Sequence, residues 1–354
     1  MANCKILSLN EAEDWKSYLS KLPIVQQDVY FTPEYYRLYE NYSDGQAKCF
    51  IFESNGEVVV YPFLINSINK MGYDLDDEYF DIQGAYGYNG VATTNCSIDF
   101  QHKFYSCFKE YCKENKIIAE FTRFHPLVEN HKFSTGWMQI EFNRKTVYID
   151  LSNNYESIWN GFQESTKKQI KKAVKRFNLS CKILKNDIVI LDTLIDIYHQ
   201  TMVRVSSTPY LYFNKEYFNL LINNDNTISL VALYEEKPVA VITALVSKYY
   251  IHGHLGGSLK EFMFMSPSSF LYNEMIKYGQ SLGCKYLHVG GGVTQNPDDS
   301  LLKYKTNFSK TLSDFYIGKK LINQSIYNQV TAQWQAKFPD KDQMNNNFLK
   351  YHSV

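Results

Sequence analysis

Apolar and polar positions follow two periods along this chain, and the switches between periods mark its elements. Asp99 to Asn115 (DFQHKFYSCFKEYCKEN) puts Phe100, Phe104, Phe108 and Tyr111 on one helical stripe. Residues 33 to 42 (PEYYRLYENY) predict a short helix opened by Pro33. The runs 48–53 (KCFIFE) and 57–65 (EVVVYPFLI) predict strands of a hairpin turned at Ser54-Asn55-Gly56. IIAEFTRF, 117–124, predicts a buried strand ending at His125-Pro126.

A second series begins near Lys145 with a strand at 145–151, one long helix over about 155–177, and helices over about 188–204 and 217–222. Strands at 227–234, 237–247 and 249–255 follow. A helix over about 267–282 comes next, with Ser266 as its N-cap, Pro267 at its first position, Gly283 as its stop and Leu271, Met275 and Leu282 as its core stripe. The strand KYLHV, three glycines, a short helix and a strand at DFYIG complete the pattern. A doubly wound dinucleotide fold would carry its glycine loop at the first strand, so this order argues against one.

The chain has 354 residues, which predicts two domains, and 45% of them are hydrophobic. Lys+Arg and Asp+Glu both number 37, so any basic binding surface must be local. Seven cysteines without CxxC spacing read as thiols in a reducing, cytoplasmic setting, with no metal site. The start of the sequence lacks the basic and apolar regions of a signal peptide, and no apolar run is long enough to span a bilayer. The 29 tyrosines and 23 phenylalanines fit core filling better than base or sugar stacking.

Several segments can carry chemistry. In STKKQIKKAVKRF, Lys167, Lys168, Lys171, Lys172, Lys175 and Arg176 share one helix side, opposite Trp159, Phe162, Ile170, Val174 and Phe177. No acid lies within 167–176, so this side is either a self-repelling solvated face or a seat for a polyanion. Gly290, Gly291 and Gly292 match neither phosphate-loop pattern. They permit close approach by a ligand or a loop of positive φ, and both readings stand. Tyr304 and Lys305 follow in DSLLKYKTNF, with Lys305 either stabilising developing negative charge or snorkelling. Arg204 precedes Tyr210 and Tyr212, a set able to grip a phosphate or carboxylate, or a plain helix-end ion pair. His252 and His254 alternate along a strand, and a structural role competes with that of a base.

Taken together and in order, AYGYNG (85–90), RFHPL (123–127), KKQIKKAVK, RVSSTPYLYF, VGGG and LLKYKTNF resemble the FemABX-like branch of the GNAT acyltransferase superfamily, over roughly residues 30–320. That resemblance implies an α/β (α+β) fold of two tandem GNAT-like domains, each a mixed, mostly antiparallel sheet flanked by helices. The boundary falls at 1–145 and 146–354, with the tail after about 320, including QMNNNF, packing back on the first domain. It implies that YYIHGHL and KYLHV are parallel strands that splay apart to admit an acyl donor. Ser266, Ser268 and Ser269 would present a helix N-terminus to the donor's phosphates. Gly290, Gly291, Lys168 and Lys171 would lie on the donor side, and Lys305, Tyr304 and His254 at the transfer step. Arg204, Tyr210, Tyr212, Arg37, Tyr86 and Tyr88 would meet the acceptor.

Two departures stand out. FMFMSPSS replaces the usual GNAT pyrophosphate loop, and Tyr304 replaces the usual phenylalanine before the lysine. The function implied is transfer of an acyl group, acetyl first, from acyl-CoA to an amine of an amino sugar or a nucleotide-linked cell-envelope precursor. The alternative is aminoacyl transfer from aminoacyl-tRNA to a peptidoglycan stem peptide; a degenerate scaffold used for binding is a third reading. No metal is implied, peripheral membrane contact stays open, and so does the oligomeric state.

Overall fold

The first hairpin forms where the sequence places its turn. Ser54 pairs with Glu57, and Asn55 and Gly56 take φ of 54° and 82°, the left-handed pair that a two-residue turn requires. The computed structural model describes residues 3–42, 44–342 and 347–352. In the QMNNNF stretch, residues 343–346 lie outside them.

The chain divides into two units, Met1–Asn143 with Phe315–Val354, and Arg144–Asp314. The first begins with β1 (Asn3–Leu7), α1 (Ala12–Ser20) and α2 (Pro33–Asn41), followed by β2 (Gln46–Ser54) and β3 (Glu57–Ser67). β4 (Phe80–Gln83), β5 (Ala92–Thr93), α3 (Ile98–Glu114) and β6 (Ile117–Arg123) come next. β1 to β4 pair antiparallel in sequence order, and α3 crosses over so that β6 lies parallel to β4. Phe100, Phe104 and Phe108 of α3 pack on Phe50, Phe52, Tyr61 and Phe63. The period of two in β6 sends Ile117 to that core and Ile118 to a second one.

β7 (Gln139–Asp150) carries the chain into the second unit. There follow α4 (Tyr155–Gly161), α5 (Glu164–Lys175), β8 (Ser180–Leu184), α6 (Leu191–Arg204) and α7 (Lys215–Ile222). β9 (Thr227–Tyr234), β10 (Lys237–Val246), β11 (Tyr250–Ser258), α8 (Pro267–Ser281), β12 (Tyr286–Gly291) and α9 (Ser300–Lys305) complete it. The strands run β8-β9-β10-β11-β12-β7; all neighbours are antiparallel except β11 and β12, which α8 joins as a parallel pair. A Cβ on Gly279 of α8 would lie 2.9 Å from Ile251 Cγ2, and one on Gly257 of β11 would lie 2.7 Å from the Ile197 carbonyl of α6. Helices therefore press on β11 through glycine contacts.

β13 (Leu312–Leu321) returns the chain to the first unit, where it pairs antiparallel with β6. α10 (Gln324–Lys337) then buries Val330 and Trp334 in the core that holds Ile118, and α11 (Pro339–Asp342) follows. No helix among the described residues is long and apolar enough to cross a membrane.

The long helix expected over 155–177 is two helices. Phe162 and Gln163 are extended, because Phe162 turns inward onto Trp159 and Phe308. The break resets the register, so Thr166, Ile170 and Ala173 face the core while Val174 is 45% exposed. Leu282 caps α8 in solvent instead of extending its stripe. Strands β1 and β8 and helices α1 and α10 escape the periodicity, since each is short or mostly polar on its outer side.

Candidate active site

The parallel pair in the second unit is hydrogen-bonded over only three registers: Tyr250–Tyr286, Ile251–Leu287 and His252–His288. Beyond His288 a bulge shifts β12 against β7, so that Gly290 meets Val147 and Gly291 meets Thr146. β11 meanwhile follows β10, with its own irregularity between Ile242 and Ala244. The two parallel strands thus part, leaving a wedge edged by Gly253–Gly257 on one side and Val289–Gly291 on the other. Backbone groups on those inner edges have no ladder partner across it.

Packing explains the glycine run. Gly290 has φ of +77°, and a Cβ there would lie 3.1 Å from Lys305 Nζ. A Cβ on Gly291 would lie 2.7 Å from the Lys145 carbonyl, and one on Gly292 2.4 Å from Asp299 Oδ1. These clearances let α9 fold back over the strand end, where Lys305 Nζ donates to the Gly291 carbonyl at 2.8 Å. Burial pushes the Lys305 ammonium down to about 8; Asp299 opposes this and Arg144 adds to it.

Asp299 and Arg144 hold the loop between β12 and α9. The Asp299 carboxylate accepts from the amides of Leu301 and Leu302 at 2.9 and 3.0 Å, capping α9. It also accepts from the amides of Val293 and Thr294, both at 3.0 Å, and from the Thr294 hydroxyl at 3.1 Å. The Leu302 amide, with those other donors, holds its carboxyl down to about 2. Arg144 donates to the carbonyls of Gly292 (2.8 Å) and Val293 (2.5 Å). Arg144 carries no local signal in the sequence beyond its place in a strand.

Tyr304 faces the other way, toward α8. Its hydroxyl lies 3.2 Å from that of Ser269, which donates to Gln169 Oε1 of α5 at 3.3 Å. Ser269 is buried in the first turn of α8, and the Tyr304 ring packs on Tyr272 and Phe308. Ser266 does not cap this helix. A 3-10 turn over Lys260–Met265 runs straight into it, putting Ser266 at φ 56° with its side chain making no cap bond. Pro267 has no N–H, so the first-turn amides without acceptors in the helix include those of Ser268 and Ser269.

Other expected residues separate from this group. His254 Nε2 lies 3.0 Å from the Tyr217 hydroxyl, and burial, with His252 beside it, pulls its imidazole down to about 3. A neutral ring of such low basicity is a poor general base near neutral pH. Arg204 donates to the Ser258 carbonyl (3.0 Å) and to Thr201 Oγ1 (3.1 Å), fastening the end of α6 to the end of β11. Tyr210 and Tyr212 are exposed on the turn Pro209–Leu211 and its cap, and Arg204 is not bonded to them. Lys168 and Lys171 are exposed on α5, with Lys171 Nζ 5.8 Å from the centre of the Trp159 ring.

In the first unit, AYGYNG and RFHPL come together as one structural element. Asn89 Oδ1 accepts from the Arg123 amide at 2.8 Å, Asn130 Nδ2 donates to the Asn89 carbonyl at 3.0 Å, and the His125 amide donates to Asn130 Oδ1 at 2.9 Å. His125 Nδ1 accepts from the amides of Leu127 and Val128, which leaves the proton on Nε2 to donate to buried Asp28 at 2.8 Å. The Tyr88 ring packs on Tyr30, His125 and Phe315, while the Tyr86 carbonyl accepts from the Tyr35 hydroxyl. Arg37 is exposed on α2.

Residues 162–306 match the family model described as an acetyltransferase (GNAT) domain. None of the curated protein sequences compared matches the chain. Among solved structures, FemX superposes with a TM-score of 0.70 at 13% identity, covering 92% of this chain and 99% of that one. L-PGS from Bacillus licheniformis gives 0.57 at 11%, covering 87% and 91%. A tandem GNAT protein from the clavulanic acid biosynthesis pathway gives 0.50 at 7%, covering 90% and 98%. Residues 162–306 thus form a GNAT domain, and the chain is an acyltransferase. Over its length its fold is that of the FemABX-like branch, with mixed, mostly antiparallel sheets flanked by helices.

Proposed function

We propose that this chain transfers an acyl group from an activated ester on a phosphate-bearing carrier to a primary amine, and that the carrier is an aminoacyl-tRNA. The observation that carries the acyl-transfer chemistry is the wedge between β11 and β12, with Lys305 fixed at its glycine edge. The aminoacyl donor is favoured by two things. FMFMSPSS stands where a pyrophosphate-binding loop would be, and Pro267 removes one of the amides such a loop would offer. FemX, the structure with a TM-score of 0.70, and L-PGS share the fold over most of their lengths.

The chemistry needs no covalent enzyme intermediate. The acceptor amine attacks the ester carbonyl, the C–N bond forms, and the oxyanion collapses with loss of the carrier's alcohol. The amine gives up one proton and the departing alkoxide takes one, so the balance is neutral. Lys305, with an ammonium near pH 8, stabilises the oxyanion and supplies the leaving oxygen's proton. The amides of Ser268 and Ser269 at the start of α8 suit the carrier's terminal phosphate. Arg204, Tyr210, Tyr212, Arg37, Tyr86 and Tyr88 stay candidates for the acceptor, with Arg204 acting through the end of β11. The free cysteines fit a reducing cytoplasm.

A second reading has its own observation. Between α5 and α6 lie only a short strand and a 3-10 turn, without the helical arm of several tRNA-using relatives, and this favours acyl-CoA as donor and an amino sugar or nucleotide-linked precursor as acceptor. Assaying the full chain with charged tRNA and with acetyl-CoA, against stem-peptide and amino-sugar amines, separates the two. Transfer from acetyl-CoA alone overturns the aminoacyl reading; transfer from neither, without thermal stabilisation by either donor, overturns both.

A further inference from the structure

The face of the second unit around the end of α5 carries features that acyl transfer leaves unused. Met263 is 48% exposed and Phe264 60% exposed, both in the 3-10 turn Lys260–Met265. Phe264 meets the ring of Phe177, just past the end of α5, edge to face with centroids 5.3 Å apart. The exposed Val174 precedes Phe177 by one helical turn, so the turn and the helix end share one apolar patch. Grouped large apolar side chains in water mark an interaction surface.

Cations border this patch. Lys172 Nζ lies 5.2 Å and the Arg176 guanidinium 5.6 Å from the Phe177 ring centre, and Lys237 Nζ lies 5.1 Å from that of Phe262. Lys168, Lys171 and Lys175 complete the exposed side of α5, where only Lys167 has an acidic partner, Glu164. Among the described residues, none of Lys168, Lys171, Lys172, Lys175 and Arg176 is in an ion pair. The acids nearby are Glu261 within the turn, and Glu235 and Glu236 at the β9–β10 turn, where Glu236 pairs with Lys182 at 3.4 Å. Positive charge therefore dominates the border.

We propose that this face docks on a bilayer of anionic phospholipid. Met263 and Phe264 enter the boundary between headgroups and acyl chains, and the cations of α5 rest on lipid phosphates. A polyanion such as RNA would account for the lysines but offers Met263 and Val174 no apolar phase. A bilayer interface supplies both within about 5–10 Å of depth. The turn leads directly into Ser266 and the start of α8, so docking brings that end of the helix to the lipid surface. The inference does not depend on which donor is used.

The test is co-sedimentation of the full chain with vesicles of phosphatidylcholine, alone or mixed with phosphatidylglycerol. Binding is expected only to the mixed vesicles. It should fall about tenfold or more for Met263→Ser/Phe264→Ser, and for Lys171→Glu/Lys172→Glu, with unchanged melting temperatures. Added salt should weaken binding of the parent chain and of the Met263/Phe264 variant. If the double variant fails to fold, Met263→Ser alone is read the same way. Absence of binding to mixed vesicles overturns the proposal, as does binding indifferent to Met263 and Phe264. Bulk tRNA binding that depends on Phe264, with vesicles ignored, assigns the face to nucleic acid instead.

Discussion

Lys305 donates to the carbonyl of Gly291 at 2.8 Å across a turn that only glycine at 290 leaves open. The bond fixes the ammonium at the edge of the wedge, and burial pulls it down to about 8 from its ordinary 10.5. Replacing Lys305 with methionine should lower turnover by about 10²–10³-fold, the usual size for losing one preorganised oxyanion donor. In the parent chain, turnover should fall as pH rises through about 8. A lysine pushed below its ordinary value binds fewer protons folded than unfolded. Its burial thus costs stability at neutral pH, and that cost fades as pH climbs from about 8 toward 10.5. Lys305→Met should therefore melt no lower than the parent at pH 7. A well-folded variant with full turnover would remove Lys305 from the mechanism.

Gly290→Ala tests the same contact from the strand side. A left-handed φ of +77° costs an alanine about 1–2 kcal/mol, and its Cβ would press on Lys305 Nζ. A lower melting temperature is expected, with kcat down about tenfold and KM nearly unchanged, because the lysine shifts while the donor's anchor does not. Loss of stability with undiminished kcat would show that the ammonium's exact seat is unimportant.

Much of the backbone around this candidate site was legible in the sequence, and the illegible part has a physical cause. The two strands themselves, the glycine run and the asparagine-glycine hairpin are encoded by local period and by residues with special backbone demands, whereas the parallel pairing and the place of Lys305 follow from the family resemblance. Arg144 and Gln169 escaped because their roles come from contacts to residues 148 and 100 positions away, which no local pattern carries. The same limit applied to Ser266, where a cap residue was displaced by the tight turn before it, and to Arg204, whose partners are the end of β11 and its own helix. The break at Phe162 was hidden because an inward-turned aromatic looks identical in both helix registers.

Tyr304 separates packing from chemistry. Its hydroxyl is tied to buried Ser269, and the related motif carries phenylalanine at this position. Tyr304→Phe should cost about 1 kcal/mol of stability through the lost hydrogen bond and change turnover by less than about threefold. A fall of a hundredfold at unchanged stability, measured by steady-state kinetics and denaturant unfolding together, would instead make the phenol a participant in proton transfer.

In the first unit, His352 Nε2 lies 2.7 Å from Oδ2 of the fully buried Asp81. The neighbouring Tyr351 carbonyl accepts from the Tyr73 hydroxyl at 2.7 Å, which holds this end of the chain on its core. Burial alone would push the imidazole down, but the charge of Asp81 and the hydrogen bond to it outweigh burial and raise it above its ordinary 6.5. A histidine raised in the folded state contributes stability that is fully present below 6.5 and is lost as pH rises through its folded value. Unfolding free energy should therefore decline with rising pH in that window, by at most about 1.4 kcal/mol per pH unit for one proton. His352→Gln should remove this slope while Tyr351 keeps the segment seated. Urea titrations at a series of pH values measure both chains directly, and identical slopes would show that the pair carries no net proton linkage.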